Sequence, residues 1–169
     1  GRVIKACLEA NIFDRVIVST EDEEIAGIAK TYGASIHNRS KSLAADTSKV
    51  VEVCVDVLKN ADCETFCCVY ATAALLNSNT IKASHLFFSR STESNCLMGV
   101  SKYNYSPVQA LIVNDDNTAE LLMPAYEKTQ SQFHPKIRVS NGTLYWGRKQ
   151  SFLEDKTFYC SSLKTFDIP

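Results

Sequence analysis

Residues 62–76 read Asp62-Cys-Glu-Thr-Phe-Cys-Cys-Val-Tyr-Ala-Thr-Ala-Ala-Leu-Leu76. Residues 65–70 are apolar or β-favouring and do not alternate. That pattern predicts a strand covered on both faces, as in the middle of a parallel sheet. The run then opens into Ala71, Thr72, Ala73 and Ala74. Small side chains at the carboxyl end of a buried strand let a ligand approach the backbone, and ligands of open α/β sheets bind at that end. The same residues also read as a buried strand followed by a plain loop.

Upstream, Asp14 to Thr20 is rich in β-branched residues and predicts a strand. Thr20 is placed to cap a following helix whose first turn holds Glu21, Asp22, Glu23 and Glu24, charges that suit the helix dipole. Ile25, Ile28 and Ala29 form its expected apolar face, Gly33 ends it, and Ala34 to His37 gives a second strand. A strand, a helix and a strand within roughly 25 residues predict a right-handed βαβ unit with parallel pairing. Before it, Ile4, Leu8 and Ile12 lie at helical spacing, as if a helix were already under way at Gly1. After it, Asp46 or Thr47 is expected to cap a helix reaching about Asn60. The valines of that helix leave little polar surface and predict burial.

Downstream, residues 79–89 predict a helix and 96–101 a strand. Beyond Ser101 the strands shorten. Residues 108–113 and 119–123 flank Asn114-Asp-Asp-Asn117 and predict an antiparallel hairpin. Residues 124–138 are irregular and polar. A strand over 138–147 and a short helix over 147–153 complete the pattern.

The 169 residues suggest one domain, 1–169, with its own core. A net charge of −1 gives no electrostatic reason to expect a nucleic-acid or membrane surface. No apolar run is long enough to span a bilayer, and no signal peptide is evident. The seven cysteines lack metal-site spacing and read as small core hydrophobes of a reducing cytoplasm. Both ends look cut in mid-pattern, as in a fragment.

Three places could carry chemistry. Arg39, with Leu43-Ala-Ala-Asp-Thr-Ser48 behind it, offers a guanidinium and a hydroxyl-rich helix start to an anion. It also reads as a loop with an ordinary cap. Asn141-Gly-Thr-Leu-Tyr145 allows a sharp bend beside a pocket with a tyrosine to stack or hydrogen-bond, or simply a hairpin turn and a core aromatic. Gln130-Ser-Gln132 could read a sugar or a carboxylate. His37, His85 and His134 are scattered, with no metal spacing and no triad partner.

Taken in order, these stretches resemble the acylneuraminate cytidylyltransferases, which activate sialic acid and related nonulosonic acids as CMP-sugars. Phe13-Asp-Arg-Val-Ile-Val-Ser-Thr-Glu-Asp-Glu-Glu-Ile-Ala26 resembles the family's second strand and helix. Arg39-Ser-Lys-Ser-Leu-Ala-Ala-Asp-Thr47 resembles its Arg-Pro-x-x-Leu-Ala-x-Asp-Thr element. Cys68-Val-Tyr-Ala-Thr-Ala-Ala-Leu75 resembles its Tyr/Gln-Pro-Thr-x-Pro-Leu segment. Tyr105-Ser-Pro-Val-Gln-Ala-Leu111, Gln130-Ser-Gln132 and Asn141-Gly-x-x-Tyr-Trp146 follow in the family's order. Ser131-Gln132 and Tyr145-Trp146 bring the likeness nearest to the pseudaminic acid branch.

The resemblance implies an α/β fold: a doubly wound, mostly parallel, Rossmann-like nucleotidyltransferase sheet with a small inserted antiparallel dimerisation element over roughly 105–140. It implies CMP transfer from CTP to a nine-carbon sugar acid, release of pyrophosphate, Mg²⁺ and a homodimer. It puts Arg39, Asp46, Thr47 and Ser48 near the nucleotide. Tyr70, Thr72, Asn141, Gly142 and Tyr145 fall near the sugar acid, and Gln130 and Gln132 reach one as well, across a dimer interface. The family also has an opening Gly-, Lys- and Arg-containing phosphate loop, absent here, and a metal-binding Asp-x-Asp expected past Pro169, so the catalytic residues are not assigned. Ala71 and Ala74 stand for its prolines, Ser40 for another, and Gln130 for an arginine. The expectation is an enzyme as the full parent, with these 169 residues inactive alone. The alternatives are a non-catalytic binding or dimer-partner homologue, or a deoxy-octulosonic acid cytidylyltransferase.

Overall fold

The computed structural model describes residues 1–168. It opens with helix α1 (Arg2–Ala10), whose Ala6, Cys7 and Ala10 are buried. Two parallel strands follow, β1 (Ile17–Thr20) and β2 (Ser35–Asn38), linked by helix α2 (Glu23–Thr31). This is the expected βαβ unit, with a different cap. Asp22, not Thr20, accepts from the Ile25 amide at 2.8 Å, while Thr20 Oγ1 accepts from the Asp22 amide at 3.1 Å. The aspartate reaches the first-turn amide from the flanking position, and the buried threonine secures the aspartate. Of the expected apolar face only Ala29 is buried. Ile25 and Ile28 stay 51% and 47% exposed.

Helix α3 (Val50–Lys59) also begins later than expected. Residues 41–43 form a 3-10 turn, and Lys49 is the N-cap, its amide donating to Glu52 Oε2 at 3.1 Å. That glutamate reaching back at N3 fixes the start, so Asp46 and Thr47 stay in the preceding loop. The helix is not buried as its valines suggested: Leu58 alone is, and Val50 is 37% exposed.

Strand β3 (Thr65–Val69), helix α4 (Ser78–Arg90) and strand β4 (Cys96–Lys102) come next. A hairpin, β5 (Leu111–Val113) and β6 (Ala119–Leu121), precedes the long strand β7 (Arg138–Arg148). Helix α5 (Lys149–Asp155) and strand β8 (Leu163–Asp167) close the fold. The larger sheet runs β3-β7-β4-β8. Strands β4 and β8 are parallel, and β7 is antiparallel to both β3 and β4. The sheet is thus mixed, and β3 is an edge strand with an antiparallel neighbour rather than the centre of a parallel sheet. Its unbroken apolar run reflects cover on both faces: Cys67 and Val69 pack with the core on one side, Phe66, Cys68 and Tyr70 with the core on the other.

Helices lie on both faces, as the α/β layout requires. One core joins Ala6, Cys7 and Ala10 of α1 to Ile81 and Phe88 of α4 over Leu97, Leu144 and Trp146. The other joins Leu58 of α3 and Phe152 of α5 to Met98, Val100, Tyr145 and Phe158. The β5–β6 hairpin pairs with no further strand among the described residues, and Leu111, Ile112 and Val113 are 57%, 43% and 64% exposed. All seven cysteines are free thiols. No helix among the described residues is long and apolar enough to cross a membrane.

Candidate functional site

The site forms where β3 ends against β7. Val69 faces Leu144, and the Tyr70 amide donates to Thr143 O at 3.0 Å. Just beyond, the register of β7 against β4 shifts, and Gly142 takes φ +63°. Asn141-Gly142 is therefore a kink inside a continuous strand, not a hairpin turn. One strand must pair on two sides, and the left-handed residue absorbs the mismatch. Asn141 Nδ2 donates to Ser101 Oγ at 2.9 Å and Thr143 Oγ1 donates to Asn141 Oδ1 at 2.5 Å, so the kink is fastened to β4.

Gly142 lies beside Tyr70, where a Cβ would stand in ordinary contact at 3.8 Å from the tyrosine ring. The Tyr70 and Tyr145 rings lie 5.5 Å apart at 41°, and the Tyr145 hydroxyl meets Ser140 Oγ at 2.7 Å. Burial, with Tyr145 beside it, pushes the Tyr70 phenol up to about 12, so it is a neutral donor at physiological pH. Thr72 follows on an exposed turn held by the Ala73 amide donating to Tyr70 O at 3.0 Å. Tyr70, Asn141, Gly142 and Tyr145 thus converge at the carboxyl rim of β3 and β4, with Thr72 beside them.

Val51, Cys54 and Val55 of α3 pack against the core that holds Tyr70 and Tyr145. The loop carrying exposed Asp46 and Thr47 leads into this helix, and Ser48 Oγ donates to Ser42 O at 3.0 Å. Arg39 follows β2, and its guanidinium is held by Glu21, with Nε donating at 2.8 Å. That partner holds the Glu21 carboxyl below its usual range. Arg39 is therefore half of an ion pair rather than an unpaired anion receptor. Gln130 and Gln132 are exposed and bonded to each other at 2.6 Å, with no hydrogen bond to the tyrosine cluster among the described residues.

Two groupings escaped the sequence reading. His37 does have partners: Ser19 Oγ lies 3.0 Å from Nδ1 and Asp56 Oδ2 3.4 Å from Nε2, tying β1, β2 and α3 together. The signal was the parallel register that sets Ser19 opposite His37, visible once the two strands are paired. The second is at the β4–β8 end of the rim. There Arg138 Nε and Nη2 donate to Asp167 at 2.6 Å and 3.4 Å. No group of three or more His, Cys, Asp or Glu that could hold a metal occurs among the described residues.

Comparison with known proteins adds four findings. The family model described as cytidylyltransferase matches residues 1–158. The chain is 30% identical over 172 residues to the pseudaminic acid cytidylyltransferase of Campylobacter jejuni subsp. jejuni serotype O:2, spanning 98% of this chain and 74% of that protein. It is 28% identical over 162 residues to the N-acylneuraminate cytidylyltransferase of Escherichia coli O18:K1:H7, spanning 92% of this chain and 37% of the relative. Among solved structures, a CMP:2-keto-3-deoxy-manno-octonic acid synthetase complexed with CTP superposes with a TM-score of 0.68. That match covers 99% of this chain and 77% of the other at 11% identity, a likeness of fold.

Proposed function

The chain belongs to the cytidylyltransferase family, and from that premise we propose that it serves CMP transfer from CTP to a nonulosonic acid of the pseudaminic or sialic type. The observation that carries the reading is the meeting of Tyr70, Asn141, Gly142 and Tyr145 at one carboxyl rim, where α/β sheets bind ligands. In the reaction the anomeric hydroxyl oxygen attacks the α-phosphorus of CTP and gives up its proton to water. The bond to the bridging oxygen breaks, and pyrophosphate leaves. The work of the protein is positioning and charge stabilisation.

Tyr70, Thr72 and Tyr145 take the sugar-acid side, with the Asn141-Gly142 kink holding the space open. Asp46, Thr47 and Ser48 take the nucleotide side, and Arg39 joins them by sharing its guanidinium between Glu21 and a phosphate. The described residues do not gather a magnesium site of their own, and Asp167 at the β4–β8 end of the rim is engaged by Arg138. Magnesium is accordingly proposed to arrive with the triphosphate, and no step here depends on it.

We further propose a homodimer formed through the β5–β6 element, supported by the exposed Leu111-Ile112-Val113 strand, an apolar edge that isolated hairpins rarely leave open. In that dimer Gln130 and Gln132 reach the partner's sugar acid. Light scattering that gives a monomer at all concentrations would end this part. A cytoplasmic setting fits seven unpaired thiols and is tested by cell fractionation.

The test of the main reading is calorimetric titration with CTP plus Mg²⁺, then with pseudaminic or N-acetylneuraminic acid, followed by phosphorus NMR for pyrophosphate. Binding of CTP and of either nine-carbon acid supports the reading. Binding of an eight-carbon keto-deoxy acid alone, or no binding of CTP, overturns it.

A further inference from the structure

A cavity of about 220 Å³ is lined by Lys102, Tyr103, Ser106, Pro107, Pro135 and Arg138, with Ile137 at its wall. Its position follows from strand alternation. Met98 and Val100 face the α3–α5 core, so Lys102 continues the same face. Ser140 lies opposite Val100 and Arg138 opposite Lys102, and cross-strand partners share a face. Ser140 is also the partner of the Tyr145 hydroxyl. The cavity therefore begins two residues, about 7 Å of strand, from the tyrosine cleft.

The charges in it are specific. Arg138 is held by Asp167 through two of its nitrogens, and Nη1 donates to Ile137 O at 3.2 Å. Lys102 forms no ion pair of its own among the described residues. Two cations against one carboxylate leave a single positive charge, backed by two prolines, an isoleucine and the Tyr103 ring. One net charge against apolar walls suits one carboxylate on a carbon skeleton. It does not balance a triphosphate, whose several charges call for more than one cation. The volume is below the roughly 300–1,000 Å³ of a pocket that encloses a whole ligand, so it takes one end of one.

We propose that this cavity receives the carboxylate end of the sugar acid, with Lys102 Nζ as its charge partner and Arg138, fixed by Asp167, as the wall that orients it. This rests on the proposed function above and adds the residue that selects an acid over a neutral sugar.

The test uses the full chain and calorimetry with CTP, with pseudaminic or N-acetylneuraminic acid, and with the methyl ester of whichever acid binds. Lys102 is exposed, so K102M should keep the fold, which circular dichroism checks, and K102R should restore the charge. K102M should weaken acid binding about tenfold, the scale of one charged hydrogen bond, and leave CTP unchanged. The ester should bind wild type as weakly as the acid binds K102M, and K102M should weaken it no further. An acid bound equally by wild type and K102M overturns this inference alone, as does a loss confined to CTP, which would assign the cavity to phosphate. A wild-type chain that binds neither acid overturns this inference together with the proposed function.

Discussion

Tyr70 and Tyr145 face each other across the β3–β7 pair with ring centroids 5.5 Å apart, and each is held by a different device. Tyr70 is held through its amide, which donates to Thr143 O at 3.0 Å beside the left-handed Gly142, whereas Tyr145 is pinned by the Ser140 hydroxyl at 2.7 Å. Replacing Tyr145 by Phe keeps the ring and removes the hydroxyl. The expected cost is about 1 kcal/mol of stability in urea unfolding, the net worth of one hydrogen bond. Sugar-acid affinity should fall as well, and an unchanged affinity would remove Tyr145 from the site.

At Gly142 the penalty is conformational. With φ +63° and the nearest ring atom 3.8 Å from a built Cβ, space is available but the backbone is not. Gly142→Ala should destabilise by about 1–2 kcal/mol, and Gly142→Asn by clearly less, since asparagine tolerates this region. Gly147 is the opposite case, because a Cβ there would stand 2.6 Å from the Phe66 ring, itself packed 4.9 Å from Phe152. Equal losses for alanine and asparagine at 142 would refute the backbone account.

Trp146 Nε1 donates to Ser84 Oγ at 2.9 Å with both side chains buried. Ser84→Ala leaves that indole N–H without a partner, and the expected loss is about 1–3 kcal/mol. Trp146 is the sole tryptophan, so its fluorescence reports the unfolding directly. A variant as stable as wild type would mean that water reaches the indole.

The Arg138 guanidinium holds the Asp167 carboxyl below its ordinary value of 3.8, with Lys102 adding to the effect. A depressed folded pKa contributes stability above the unfolded value and loses it as pH falls through the folded one. The contribution should therefore be intact at neutral pH and fade below pH 3.8, with a small amplitude because the pair is exposed. Asp167→Asn should flatten that part of an acid titration of the melting temperature. An identical acid limb in the variant would show the pair to be energetically silent.

Local pattern carried much of the fold. The β-branched run of 14–20, the helix signals after it and the short run of 34–37 placed a βαβ unit, and most strand and helix extents came within a few residues, because propensity and side-chain shape act over neighbours. Caps were legible only as candidates. Thr20 was expected to cap α2, and geometry chose Asp22 instead, whose oxygen reaches the Ile25 amide. The family motifs were legible too: six short elements in order pointed to the cytidylyltransferases that the comparisons also found. Arg39 shows where such reading stops, since nothing along the chain announces that Glu21, eighteen positions earlier, takes its guanidinium.

By itself the sequence determined most of the strand and helix segments, β8 excepted, and the run of small residues that follows β3. Tertiary structure alone decided that β3 lies at an edge beside an antiparallel β7, that Asn141-Gly142 is a kink within a strand, and that His37 meets Ser19 and Asp56. It also brought Lys102, Arg138 and Asp167 to one end of the sheet. The reason is physical. Propensity and period are properties of adjacent residues, whereas strand order, register and charge pairing depend on which distant segments share a face, and the free energy of packing settles that for the whole chain at once.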